Sequence, residues 1–131
     1  MEYALDVLVY ATGFQFTCMT TGTFNTITGR KGLTMTEKWA DGTKTFLGMH
    51  VSDFPNLLIM AGPQAAGAAF NNVSLIENQV AYIAKLLTQM KSAGSDLVDV
   101  NPEAEKNWGE HCTNAESSAR LIRDCVSYYN M

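Results

Sequence analysis

The chain has 131 residues, is 47% hydrophobic and 17% charged, and carries a net charge of −4 at neutral pH. That length points to one domain with a moderate core, and scattered basic residues under a negative net charge argue against a nucleic-acid partner. No apolar run reaches the roughly 18 residues of a membrane span, and no basic-then-apolar signal segment is read.

Cys18, Cys112 and Cys125 are an odd set without C-x-x-C spacing. They fit buried thiols in a reducing, cytoplasmic setting better than a disulfide framework or a metal site. The low charged fraction hints that other protein normally covers part of the surface.

The first predicted element is Leu5-Asp6-Val7-Leu8-Val9-Tyr10-Ala11, a β-branched run with almost no alternation. Such strands are usually buried on both faces. Residues 15–56 are rich in threonine and glycine, and irregular loops with short strands are expected there. Residues 32–39 read as a short helix or strand, Asp41-Gly42 as a turn, and residues 44–51 as a short extended piece. Phe54-Pro55-Asn56 leads into a second buried strand, Leu57-Leu58-Ile59-Met60-Ala61.

That run breaks at Gly62-Pro63 into a small-residue loop, Gln64-Ala65-Ala66-Gly67-Ala68-Ala69. Ile76, Val80, Ile83, Leu87 and Met90 then recur in helical steps, predicting a long helix near 73–92. Asn71, Asn72 or Ser74 can cap it, with Ser74 and Glu77 matching a capping box, and Ala93-Gly94-Ser95 ends it. Asn101-Pro102 opens a last helix near 102–126, whose stripe through Ala104, Trp108 and Cys112 reads as core.

Strand, tight loop and helix is how α/β proteins bring backbone N–H groups against a bound cofactor. A close-packed turn with no ligand accounts for the same small residues. Gly62 and Gly67 lack the central glycine of G-x-G-x-x-G, and the loop has no phosphate-binding lysine. His50 and His111 stand in no metal-ligand pattern. His111 and Cys112, as helix neighbours, point about 100° apart and make a poor thiol–imidazole pair. Neither a catalytic group nor a metal site can be assembled from spacing.

Asp6-Val7-Leu8-Val9-Tyr10-Ala11-Thr12-Gly13-Phe14 resembles the D-x-(apolar)-(apolar)-x-A-T-G-F motif of class B flavin monooxygenases. Trp39-x-Asp41-Gly42, Leu47-Gly48, Phe54-Pro55-Asn56-Leu57, Ala61-Gly62-Pro63-Gln64, Asn71 and Ile76-Glu77 follow in the order and spacing of Baeyer–Villiger monooxygenases. The tail, with Glu105-x-x-Trp108 and Ser127-Tyr128-Tyr129, is similar to their C-terminal helix and the start of their mobile loop. The likeness covers almost the whole chain.

The resemblance implies an enzyme that binds FAD and NADPH and inserts oxygen beside a ketone carbonyl. It implies that Ala11, Thr12 and Gly13 lie at the crossover between the two nucleotide domains. It further implies that Gly62, Pro63, Gln64, Asn71 and Asn72 lie beside the flavin, with Ala65, Ala66 and Tyr128 near substrate and NADP. A helix N-terminus there would stabilise negative charge on a reduced ring.

Both G-x-G-x-x-G fingerprints, the family's catalytic arginine and its F-x-G-x-x-x-H-x-x-x-W stretch are missing from these 131 residues. The expectation is therefore the C-terminal portion of such an enzyme's FAD domain, of mixed α/β class: a small sheet with two long helices. Its parts would be the crossover strand and motif (1–14), the irregular segment (15–56), strand-loop-helix at the flavin edge (57–92) and the C-terminal helix (101–131). Alone it is expected to be inactive and to bind no cofactor, its partner being the rest of the flavoenzyme. Exposed strand edges would favour self-association. The alternative is a non-catalytic interaction module, or a subunit of a split enzyme, that kept the scaffold.

Overall fold

The computed structural model describes residues 3–11, 23–65 and 71–116. Its core lies in the stretch expected to be irregular. Met35, Trp39, Val51, Phe54 and Ile59 form one buried cluster, with Phe24, Ile27, Leu33 and Leu57 packed against it. Fully burying side chains of this size contributes about 1.5–3 kcal/mol each. The Trp39 indole N–H donates to the Lys44 carbonyl at 2.9 Å, so burying the ring strands no donor.

Around that cluster the backbone runs through a 3₁₀ turn at Thr23–Thr26, another at Arg30–Gly32, and helix α1, Met35–Lys38. A single turn of helix is marginal alone. Here a capping box secures it: the Glu37 N–H donates to Thr34 Oγ1 at 3.2 Å, and the Thr34 N–H to Glu37 Oε2 at 2.8 Å. The capping-box signature is thus used at Thr34-Glu37. At Ser74-Glu77, where it was expected, the cap is Asn71.

The expected long helix is present as α2, Asn72–Ala93. Asn71 Oδ1 accepts from the Val73 and Ser74 N–H groups at 3.0 and 3.4 Å. At the other end Gly94 takes φ +62°, and the Ser95 N–H reaches back to the Met90 carbonyl at 3.0 Å. That left-handed glycine closure satisfies carbonyls the helix leaves bare. Helix α3, Pro102–Glu116, starts where Asn101 Oδ1 accepts from the Glu103 N–H at 2.8 Å. The part of the last predicted helix beyond Glu116 lies outside the described residues.

The expected small sheet is not found among the described residues. Pairing there is limited to isolated bridges, Thr28 with Thr34 and Phe46 with His50. In residues 57–61 the Ile59 N–H donates to the Met49 carbonyl at 2.8 Å, and positive φ at Asn56 and Ala61 breaks extension at both ends. Residues 5–11 form no strand either: their apolar side chains are largely exposed, Val9 and Tyr10 at 78% and 80%. A strand buried on both faces needs neighbours and covering layers, and the described residues supply neither. Asp6, within the run read as a buried strand, is exposed.

Helix α3 is fixed to the core by its own first turn, where Glu105 is 4% exposed. Its carboxylate accepts from the Ser52 N–H at 2.8 Å, the Ser52 hydroxyl at 2.6 Å and the Lys38 ammonium at 3.1 Å. The α2–α3 connection is held by Asn56, whose amide donates to the Asp96 carbonyl and accepts from the Val98 N–H. No described helix is long and apolar enough to cross a membrane.

Candidate functional site

Residues 61–65, where the small-residue loop begins, are held from four directions. Thr45, fully buried, donates its hydroxyl to the Pro63 carbonyl at 2.9 Å. Its N–H and hydroxyl lie 3.0 and 3.1 Å from Gln64 Oε1. From α2, Gln79 Oε1 accepts from the Ala61 N–H at 2.8 Å. From α3, the Cys112 thiol faces the Gln64 carbonyl at 3.9 Å. Below the loop, Gly48 meets Ala65 so closely that a Cβ at 48 would overlap the Ala65 backbone.

Ala61 and Gln64 take φ +48° and +61°, conformations that L-residues reach only at a cost. Four surrounding contacts set against that cost make a preformed loop. The small residues therefore have a structural reason of their own, close approach of two backbones. Replacing Thr45 by Val removes the hydroxyl and leaves the Pro63 carbonyl unserved. The expected loss is about 1–2 kcal/mol in urea unfolding, with Thr45→Ser restoring most of it.

Beside the loop lies an aromatic ledge. His50, 5% exposed, has Nε2 2.9 Å from the Tyr82 hydroxyl, and the two rings meet edge to face. Phe46 bridges His50 to Trp108, and Trp108 packs against His111. Phe46, Ala104, Asn107, Trp108 and His111 line an open groove of about 440 Å³. Burial pushes the His50 pKa down, against the opposing pull of the Asp99 carboxylate, and pushes the Tyr82 hydroxyl up. The pair is therefore neutral near pH 7.

Because the folded His50 binds its proton less readily than the unfolded one, its contribution is complete above the unfolded pKa of about 6.5. It is lost as pH falls toward the lower folded value. The urea midpoint should drop between pH 7 and 5, and His50→Gln should flatten that slope.

Of the residues singled out from sequence, the structure gathers Gly62, Pro63, Gln64 and Ala65 into this one held loop. Asn71 and Asn72 stand exposed at the α2 N-terminus, and Ala11 is exposed at the end of residues 3–11. Thr12, Gly13, Ala66 and Tyr128 lie outside the described residues, as do Cys18 and Cys125. Among the described residues no group of three or more His, Cys, Asp and Glu could hold a metal ion.

Thr45 and Gln79 were not singled out, and Gly48 was named only as part of the Leu47-Gly48 motif. Gln79 carried a signal: a polar residue on the same helix face as Leu75, Tyr82 and Leu86. Its Nε2 and the Trp108 indole nitrogen are the buried side-chain polar atoms without a partner among the described residues.

No protein-family profile matches the chain. Curated proteins do. It is 35% identical over 129 residues to pentalenolactone D synthase of Streptomyces exfoliatus, covering 95% of this chain and 22% of that one. It is 32% identical over 124 residues to a Baeyer–Villiger monooxygenase of Stachybotrys chlorohalonatus, covering 91% and 19%. This chain is homologous to part of the Baeyer–Villiger-type flavin monooxygenases.

Solved structures agree. Steroid monooxygenase bound to NADP superposes with a TM-score of 0.69 at 32% identity, over 77% of this chain and 19% of that one. OTEMO in complex with FAD and NADP gives 0.68 at 29%, over 89% and 21%. The chain thus spans about a fifth of the length of the flavin monooxygenases it matches.

Proposed function

We propose that this chain forms the flavin-edge part of a cytoplasmic FAD- and NADPH-dependent Baeyer–Villiger-type monooxygenase, and that by itself it is inactive. The observation that carries this reading is the held loop at Ala61–Ala65, lying in a stretch alike over nearly its whole length to enzymes solved with FAD and NADP.

The residues present fit one edge of a flavin. Helix α2 has 22 residues and no acidic side chain in its first turn, so its positive end is not neutralised from within. Asn72 is exposed there. Gln64 commits its amide oxygen inward to Thr45. Gly62, Pro63, Gln64, Asn71 and Asn72 would flank the ring, with Ala11, Thr12 and Gly13 at the crossover. Ala65, Ala66 and Tyr128 would face substrate and NADP. Nothing in the sequence offers a glycine fingerprint for either pyrophosphate.

Bound flavin and NADPH would supply the reduction of oxygen and its insertion beside a ketone carbonyl. The part played by this chain is to hold a rigid, uncharged wall and a helix dipole at fixed positions. Thr45 and Gln79 keep that wall from moving. The remaining polypeptide of the flavoenzyme is then its partner.

The test is a chimera in which residues 1–131 replace the matching stretch of the Streptomyces synthase. The chimera should keep FAD and consume NADPH and oxygen with that enzyme's substrate. A chimera that folds, retains FAD and does not turn over contradicts the reading. Ketone oxygenation by the isolated chain with FAD and NADPH would overturn the inactivity.

A further inference from the structure

Three of the contacts on residues 59–65 come from one short stretch, residues 45–50. Thr45 holds the Pro63 carbonyl and Gln64 Oε1, Gly48 lies against the Ala65 backbone, and the Met49 carbonyl accepts from the Ile59 N–H. The stretch is a tight turn closed by the Phe46–His50 bridge. The Phe46 N–H donates to the His50 carbonyl at 2.8 Å, and the Met49 and His50 N–H groups donate to the Phe46 carbonyl at 3.1 Å. Leu47 and Gly48 at its tip take φ +56° and +67°. For Leu47 that is a conformation kept only while the surroundings hold it.

His50 is the side chain that ties this turn to α2. It is 5% exposed, beside the Phe46 ring and edge-on to Tyr82, with Nε2 2.9 Å from the Tyr82 hydroxyl. While the ring is neutral, Nε2 and the hydroxyl share one hydrogen bond, whichever of them donates. In a protonated ring both nitrogens are donors, and the buried charge needs a counter-charge or water. No carboxylate pairs with His50 among the described residues. On α2 the group facing it is Tyr82, neutral at these pH values. In the α2–α3 connection Asp99 favours the charge, but its oxygens are already bonded to Arg30 and the Val100 N–H. On α3, His111 stands behind Phe46 and Trp108, and Glu105 is bonded to Ser52 and Lys38. The charge therefore goes to water, which the ring reaches only by leaving Tyr82 and Phe46.

We infer that His50 is a proton-operated latch on the held loop. Neutral, it ties the 45–50 turn to α2 and keeps residues 59–65 in place. Protonated, it releases the turn and lets the loop open. Neither the core cluster nor the Glu105 network includes His50, so the opening is local and the rest of the chain stays folded around it. The latch concerns the loop's own contacts and stands whether or not the loop borders a flavin.

Amide hydrogen exchange of the full chain tests it, read residue by residue by NMR at pH 7.5 and pH 5 and corrected for the intrinsic rate at each pH. The Thr45, Ile59 and Ala61 N–H groups report on the loop. The Trp39 N–H, bonded to the Met35 carbonyl at 3.0 Å, reports on the core. Protection of the three loop amides should fall about tenfold at pH 5, to values below that of Trp39. In His50→Gln, uncharged at either pH, the same amides should change by less than about twofold. Loop amides equally protected at both pH values overturn the inference. So does a fall that leaves them level with Trp39, which is unfolding of the whole chain, and so does an undiminished fall in His50→Gln. Should that variant not fold, the His50 ring Hε1 signal of the unaltered chain is titrated instead. Its midpoint must coincide with that of the lost protection, and a different midpoint overturns the latch.

Discussion

Glu105→Ala should cost about 3 kcal/mol or more of stability, the low end of what breaking a buried ion pair costs. Glu105 Oε1 serves the Ser52 N–H, and Oε2 serves both the Ser52 hydroxyl and Lys38 Nζ. Lys38 also donates to Ser52 Oγ at 2.6 Å, so three groups from three segments form one closed network. Removing the carboxylate leaves the Ser52 N–H and hydroxyl without this acceptor and the mostly buried Lys38 ammonium with Ser52 Oγ but without its counter-charge. The Lys38 side chain retains 16% exposure and can turn partly toward water, which keeps the loss at the low end. Against a typical total of about 5–15 kcal/mol, such a loss is a large fraction of the stability and lowers the urea midpoint accordingly.

Urea unfolding followed by Trp39 and Trp108 fluorescence measures it. Glu105→Gln keeps one oxygen acceptor and should lose about half as much. An unchanged midpoint in Glu105→Ala would mean that α3 is held by something other than this network.

Gly48→Ala is the second large effect, and it bears on the loop directly. Gly48 has φ +67°, and an added methyl overlaps Cα, Cβ and N of Ala65. A left-handed L-residue costs about 1–2 kcal/mol, and displacing a packed backbone about 1–3 kcal/mol more. Gly94→Ala is the control: φ there is +62°, yet nothing lies within 4 Å of the added methyl. It should show the conformational cost alone. In the chimera, Gly48→Ala should also loosen FAD, because Ala65 cannot yield without moving Gln64 and Pro63. Similar losses in the two variants would mean that the Gly48–Ala65 approach is not what fixes the loop.

Gln79 illustrates how far the site could be read from sequence. The 3–4 spacing of Ile76, Val80, Ile83, Leu87 and Met90 located a real helix. It did not tell which face meets the body: Ile76, Val80 and Leu87 are exposed, and the body side runs through Leu75, Gln79 and Leu86. A helix that is apolar over half its circumference does not say which half meets its own chain. Thr45 gave no sign at all. Its role depends on Pro63 and Gln64, 18 and 19 residues away.

The sequence by itself determined the features that depend on a few neighbouring residues. These are the start of α2 within residues 71–74 and its glycine stop at Gly94, the Asn101-Pro102 start of α3, and the break at Gly62-Pro63, whereas the structure decided among the cap candidates for Asn71. The likeness to flavin monooxygenases was legible too, and relatives at 30–35% identity over most of the chain agree with it. Only the tertiary structure decided that residues 5–11 and 57–61 are not a sheet among the described residues. It also decided that the core sits between Phe24 and Ile59, and that Glu105, Thr45 and Gln79 are inward-facing ties. Strand pairing and buried polar partnership join residues distant along the chain, and local spacing carries no record of which of them meet.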